Sequence, residues 1–209
     1  MPFFGMVRSE HIQKYLWIAL ALAALLVLPG CWVTSINGLY QESTADNPHT
    51  DPDLVLEQSL VGSWIHLDDK CTTLLTIASE NGAYNLRSTD QGEGCDAQDK
   101  PSRYQAHLVK LDTYFFLDIS PMDDAVCNMC LAKHNIFLAK FDKATLSLSP
   151  IDSNWLKKSL AAKTVSLATL AGDTDTLTAS SADLKSFCRR FAADEAVFKP
   201  SSTYTLKRK

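Results

Sequence analysis

No apolar run in this 209-residue chain reaches the roughly 20 residues that a helix needs to cross a bilayer. The longest, residues 16–28, holds 13. A membrane-spanning helix is therefore not expected. Positive charge is not in excess either: 20 Lys and Arg stand against 24 Asp and Glu, for a formal net charge of −4. Nucleic acid calls for clustered cationic side chains, so it is excluded as a partner. The only basic cluster, Lys207-Arg208-Lys209, reads as a solvated tail. There is no G-x-S-x-G, no H-E-x-x-H, no phosphate loop and no glycine-rich dinucleotide turn. Internal repeats and low-complexity tracts are missing too. Nothing names a reaction or a cofactor, and the chain reads as non-enzymatic.

What is present begins with the leader. Arg8 and Lys14 precede the apolar run, and Leu28-Pro29-Gly30-Cys31 follows it. A basic start, a short apolar stretch and small residues make a secretory signal peptide. The four residues resemble a bacterial lipobox. In that family the chain is cut before the cysteine, which is then acylated. The resemblance implies that residues 1–30 are removed and that Cys31 becomes a lipid-bearing first residue. Trp32 stands where an aspartate would imply retention at the inner membrane, so the periplasmic face of the outer membrane is implied. A signal cleaved without lipidation is the alternative. Several buried acyl chains, at about 0.8 kcal/mol per methylene, would hold the protein to the bilayer almost irreversibly.

Residues 31–53 read as the lipidated N-terminus and a flexible tether. Asn37-Gly38, Asp46-Asn47-Pro48 and Asp51-Pro52-Asp53 are turn formers with little apolar periodicity. Residues 54–209 read as one domain. Its first seven strand candidates are 64–67, 72–79, 83–89, 104–111, 114–119, 134–141 and 145–148. A fourth hairpin is placed at 163–170 and 174–178. Asn81-Gly82 between two alternating segments is a strong hairpin signal. Asp152 or Ser153 can cap a short inserted helix over 154–162, and Ser180 or Ser181 a C-terminal one. Leu184, Phe187, Cys188 and Phe191 fall on one face of that last helix. The pattern predicts a mainly β protein: an antiparallel up-and-down β-barrel with one short inserted helix and a C-terminal helix.

Gly62-Ser63-Trp64, at the head of the first strand, is similar to the Gly-x-Trp motif that opens the lipocalin barrel. The meander and the late helix also resemble that family, some of whose bacterial members are outer-membrane lipoproteins. The resemblance implies a barrel able to hold a small apolar ligand. It also implies an arginine from a late strand over the tryptophan. Residues 174–178 offer none, and Arg189 and Arg190 sit on the predicted helix. Read without the family, Trp64 is a flat body able to plug a barrel end, and Gly62 allows close approach. A tryptophan in an ordinary sandwich core fits equally.

Six cysteines in an exported chain permit disulfides. Cys71 and Cys95 bracket the Asn81-Gly82 turn at nearly mirrored positions and are expected to pair. Cys127 and Cys130 are candidates for a second structural oxidation. With His134 they read C-x2-C-x3-H, a weaker alternative as zinc ligands, with Cys188, Asp123 or Asp124 as a fourth. A redox role would want a helix start in a βαβ setting, which is absent. For the cavity, Trp64 and His66 share a face by period two, as do Tyr114, Phe116 and Asp118. These five are the candidate lining. Two further classes stand beside ligand binding. One is a structural or protein-interaction module with a filled barrel, and the other is the cysteine-based metal or redox site.

Overall fold

Strand alternation, tight turns and two capped helices account for most of the chain. The computed structural model describes residues 32–41, 51–67, 71–92, 95, 101–122 and 133–209. The leader, Cys31, Asp123, Asp124, Cys127 and Cys130 lie outside the described residues, and with them the cleavage, lipidation and second-disulfide expectations.

The strands in order are β1 (Thr34–Ser35), β2 (Leu54–Val55), β3 (Gly62–Leu67), β4 (Thr72–Glu80), β5 (Ala83–Gln91) and β6 (Ser102–Leu111). They continue with β7 (Tyr114–Pro121), β8 (Asn135–Phe141), β9 (Thr145–Pro150), β10 (Thr169–Leu170), β11 (Asp173–Leu177) and β12 (Tyr204–Arg208). Helices α1 (Ser153–Ala161) and α2 (Ser181–Phe191) flank β10 and β11. A closed antiparallel barrel of eight strands runs β3-β4-β5-β6-β7-β8-β9-β12, and β12 returns to β3. This is the predicted up-and-down barrel, consistent with a lipocalin-like layout.

Local chemistry explains the turns. Asn81 and Gly82 both take positive φ, 51° and 83°, the pair of values that a two-residue hairpin matched to strand twist requires. Asp142 accepts from the backbone N–H groups of Ala144 and Thr145, each at 2.7 Å, and so closes the β8–β9 turn. Asp152 caps α1 by accepting from Trp155 N at 2.6 Å. Ser180 caps α2 by accepting from Asp183 N at 3.2 Å. Leu184, Phe187 and Cys188 bury their shared stripe as the periodicity predicts.

Two apolar layers result. The barrel interior holds Trp64, Ile77, Tyr84, Leu86, Leu108, Leu117, Leu146 and Leu206. A second layer lies outside the barrel wall, where Val109, Phe116 and Leu138 meet Leu156, Leu184 and Phe187 of the two helices.

Three expectations are corrected. The predicted hairpin at 163–178 contributes no barrel strand; only β10 and β11 form, and they join β1 in a separate three-stranded sheet. Lys163 instead follows α1 with φ 57°. The eighth barrel strand is the C-terminal segment itself, so Lys207-Arg208-Lys209 is not a solvated tail: Lys207 pairs with Ile65 and Thr145, and Arg208 with Trp64. The tether assigned to 31–53 does not describe 32–41. Val33, Leu39 and Tyr40 are buried there, and β1 runs parallel to β11. Asp51 is buried as well.

Candidate functional site: the two ends of the barrel

The barrel's inner face is read by alternation from Trp64, Ile77, Leu86, Leu117 and Leu206, which point inward. One end is sealed. Trp64 is fully buried and donates its indole N–H to Leu60 O at 2.9 Å. Leu60 lies in the 3-10 helix Gln58–Leu60, which crosses that end. Arg208 stands over the indole, 4.2 Å from guanidinium carbon to ring centre. Its Nη1 donates to Val61 O at 2.9 Å, its Nε to Lys143 O at 2.7 Å, and its Nη2 to Ser59 O. Gly62 makes room: a Cβ there would come within 2.5 Å of Arg208 Nη1. This is the arginine that the lipocalin resemblance implies, supplied by β12.

The opposite end is built differently. The same alternation turns His66, Thr73, Ser88, Ser102, Tyr104 and Tyr204 inward, and all but Tyr204 are half-buried. Tyr204 is 36% exposed. His66 Nδ1 donates to Thr205 O at 2.9 Å, and its ring lies 6.0 Å from Tyr204. Thr73 donates to Asp90 at 2.6 Å. Trp32 leans on this rim, 5.3 Å from the Tyr204 ring and 5.5 Å from Phe137. Burial pushes the Tyr204 phenol pKa up, and a hydrogen bond with Trp32 offsets part of that rise. The Cys71–Cys95 disulfide, as predicted, ties the start of β4 to the residues after β5 at this end. Among the described residues, therefore, the open end carries aromatic and hydroxyl side chains on its inner wall, beyond a filled apolar floor.

The five predicted cavity residues do not meet. Trp64 forms the sealed end and His66 the open end. Tyr114, Phe116 and Asp118 face outward from β7, because Phe115, Leu117 and Ile119 take the inner face. Phe116 packs on Phe198 in the outer layer, 5.8 Å between ring centres. Asp118 is buried and accepts from Leu39 N at 2.6 Å and from His134 Nδ1 at 2.8 Å. It thus clamps the 37–40 segment to the wall. Gly38 fits there because a Cβ would crowd His134 and Tyr40 at 3.1 Å.

Cys188 is unpaired, fully buried on α2, and its thiol pKa is pushed up by burial and then by the Asp118 charge. It behaves as a small apolar side chain. No group of three or more His, Cys, Asp or Glu is arranged to hold a metal among the described residues. A groove of about 430 Å³ lies on the outer wall of β4–β6, beside Arg87 and Arg103. Those two arginines face each other directly across neighbouring strands.

Sequence reasoning missed Arg208, Tyr204 and Trp32. The alternation of Tyr204, Leu206 and Arg208 is the one signal for the first two, and the inward cation masks it. Neither a protein-family model, nor a curated protein, nor a solved structure matches this chain.

Proposed function

We propose that this protein is an exported lipoprotein of the bacterial envelope, anchored through acylated Cys31, whose barrel receives a small, mostly apolar molecule at its open end. The observation that carries the ligand reading is the division of the inner face. One half is filled by Trp64, Tyr84 and Leu86, while the other keeps partly exposed rings and hydroxyls facing the axis. Pockets for small molecules combine aromatic walls with a few polar groups that fix orientation. Here Tyr104, Tyr204 and Trp32 supply the walls, with His66 and Ser88 as polar groups. The filled floor makes the site shallow, so the ligand is small or leaves its polar part at the rim. No reaction and no cofactor are part of this reading. The Gly62-Ser63-Trp64 motif with its Arg208 partner supports kinship with lipocalins.

A second reading, an interaction module without a ligand, is favoured by that filled floor. Titration with the apolar fluorophore N-phenyl-1-naphthylamine separates the two. Saturable one-to-one enhancement, weakened by Tyr204→Ala and by His66→Ala, supports the ligand site. Absence of saturable binding by the folded wild-type protein favours the module. Anchoring is tested apart from this, by mass spectrometry of the membrane-extracted protein and of a Cys31→Ala variant.

A further inference from the structure

We propose that the open end of the barrel is the face that lies against the membrane, so that its aromatic and hydroxyl inner wall faces lipid. This rests on the acylation of Cys31 proposed above and adds an orientation to it. Trp32 is one peptide bond from that cysteine, with α-carbons about 3.8 Å apart. A lipid anchor usually leaves its domain free to tumble on a spacer. No spacer exists here: Val33, Leu39 and Tyr40 are buried, Ser35 exchanges backbone hydrogen bonds with His134, and Asp118 holds Leu39. The position of Trp32 therefore decides which face meets the bilayer, and Trp32 sits on the open rim.

The distribution of exposed apolar side chains agrees. Six large ones are exposed among the described residues: Trp32, Leu56, Leu67, Met122, Leu170 and Tyr204. Three of these belong to the open end. Trp32 (46%) and Tyr204 (36%) touch, and Leu67 (70%) ends β3 beside the start of β12. Tryptophan and tyrosine are the side chains that favour the headgroup region, with an apolar body and a polar edge. The sealed end, by contrast, shows polar turns: Glu80-Asn81-Gly82, Asp112-Thr113 and Asp142-Lys143. The chain as a whole is acidic, with a formal net charge of −4, which disfavours an anionic surface, so the partner is a zwitterionic bilayer.

The test uses the acylated full-length mature protein in phosphatidylcholine vesicles whose chains are brominated, since bromine quenches indole emission only at close range. After loss of the leader the chain keeps Trp32, Trp64 and Trp155. Trp64 is buried in the barrel floor and so reports no lipid contact. The expected result is quenching of wild-type emission by about one tryptophan's share, abolished by Trp32→Phe. Adding Glu80→Trp to Trp32→Phe, which places an indole at the sealed end, restores emission but not quenching. Acylated protein quenched equally with and without Trp32, or quenched through the residue-80 indole, overturns the orientation and leaves the anchor standing. Protein that lacks the acyl mass overturns the anchor, and the orientation with it.

Discussion

Arg208 and Trp64 close the barrel together: the guanidinium sits 4.2 Å above the indole and also gathers the carbonyls of Ser59, Val61 and Lys143. Those carbonyls belong to the chain entering β3 and to the β8–β9 turn. One side chain thus fastens the last strand, the first strand and the crossing 3-10 helix. Arg208→Ala is expected to cost about 3 kcal/mol, combining a desolvated cation–π contact of about 2 kcal/mol with charge-assisted hydrogen bonds. Arg208→Lys keeps the charge but loses the fork of donors, and recovers less than half. Urea unfolding followed by tryptophan fluorescence measures both. Equal midpoints for wild type and Arg208→Ala would show that the contact adds nothing.

Gly62 is required by that contact. Its φ is 140°, and an added Cβ would press on Arg208 Nη1. Gly62→Ala should destabilise by about 2 kcal/mol through backbone strain and displacement of the guanidinium. The two causes separate in a double-mutant cycle. With Arg208→Ala already present, Gly62→Ala keeps only its strain, so the combined loss falls short of the sum. Full additivity would remove the steric part of the explanation.

Seven of the eight barrel strands, both helices, their caps and the Cys71–Cys95 bridge were legible because each has a local signal: alternation, a turn dipeptide, a capping side chain. Strand β12 was hidden because its inward residues are Tyr204, Leu206 and Arg208, and a cation inside a barrel breaks the apolar pattern. The face of β7 was unreadable for another reason. Both its faces are buried, one by the barrel and one by the helices, so Tyr114-Phe115-Phe116-Leu117 carries no mark of inside and outside. That ambiguity carried Tyr114, Phe116 and Asp118 to the wrong side. The arm at 33–40 looked like a tether since its anchors, Asp118, His134 and Ala179, are distant in sequence.

The Cys71–Cys95 bridge spans 24 positions. Closing a loop of that size removes denatured-state entropy worth about 3 kcal/mol. Cys71→Ser with Cys95→Ser should lower stability by up to that amount and leave the rest of the barrel folded, because the β4–β5 ladder is set by the Asn81-Gly82 turn. The loss should also appear as faster proteolysis of the connections at the open end. Calorimetry of the double variant against wild type, both oxidised, checks the first point, and limited digestion checks the second.

Asp118 gives up both carboxylate oxygens, one to Leu39 N and one to His134. Removing it leaves a buried backbone donor and a partly buried imidazole nitrogen without this acceptor, a loss of about 2 kcal/mol. Asp118→Ala should therefore free the arm at 32–41 before the barrel unfolds. Amide hydrogen exchange would show this as lost protection at Leu39 with protection retained in β4 and β5. Uniform loss across the barrel would instead mark Asp118 as part of the global core.

Lys185 on α2 bridges Asp51 at 2.7 Å and Asp53 at 2.6 Å, and so fixes the chain entering the barrel to the outer helix. Burial pushes the Asp51 carboxyl upward, but the Lys185 hydrogen bond and the backbone N–H groups of Gln41 and Asp53 outweigh it, and the net pKa is lowered from 3.8. A carboxyl with a depressed folded pKa stabilises fully above its unfolded value and loses that contribution as pH falls through the folded one. Asp51→Asn should cost about 3 kcal/mol at pH 7, since it leaves Lys185 with a poorer partner in a buried site. The gap between variant and wild type should hold down to about pH 4 and narrow below it, as the wild-type carboxylate takes up its proton. Urea midpoints at pH 7, 5, 4 and 3 measure this. A gap that stays constant to pH 3 would show that the pair's charge contributes nothing and that shape alone makes the contact.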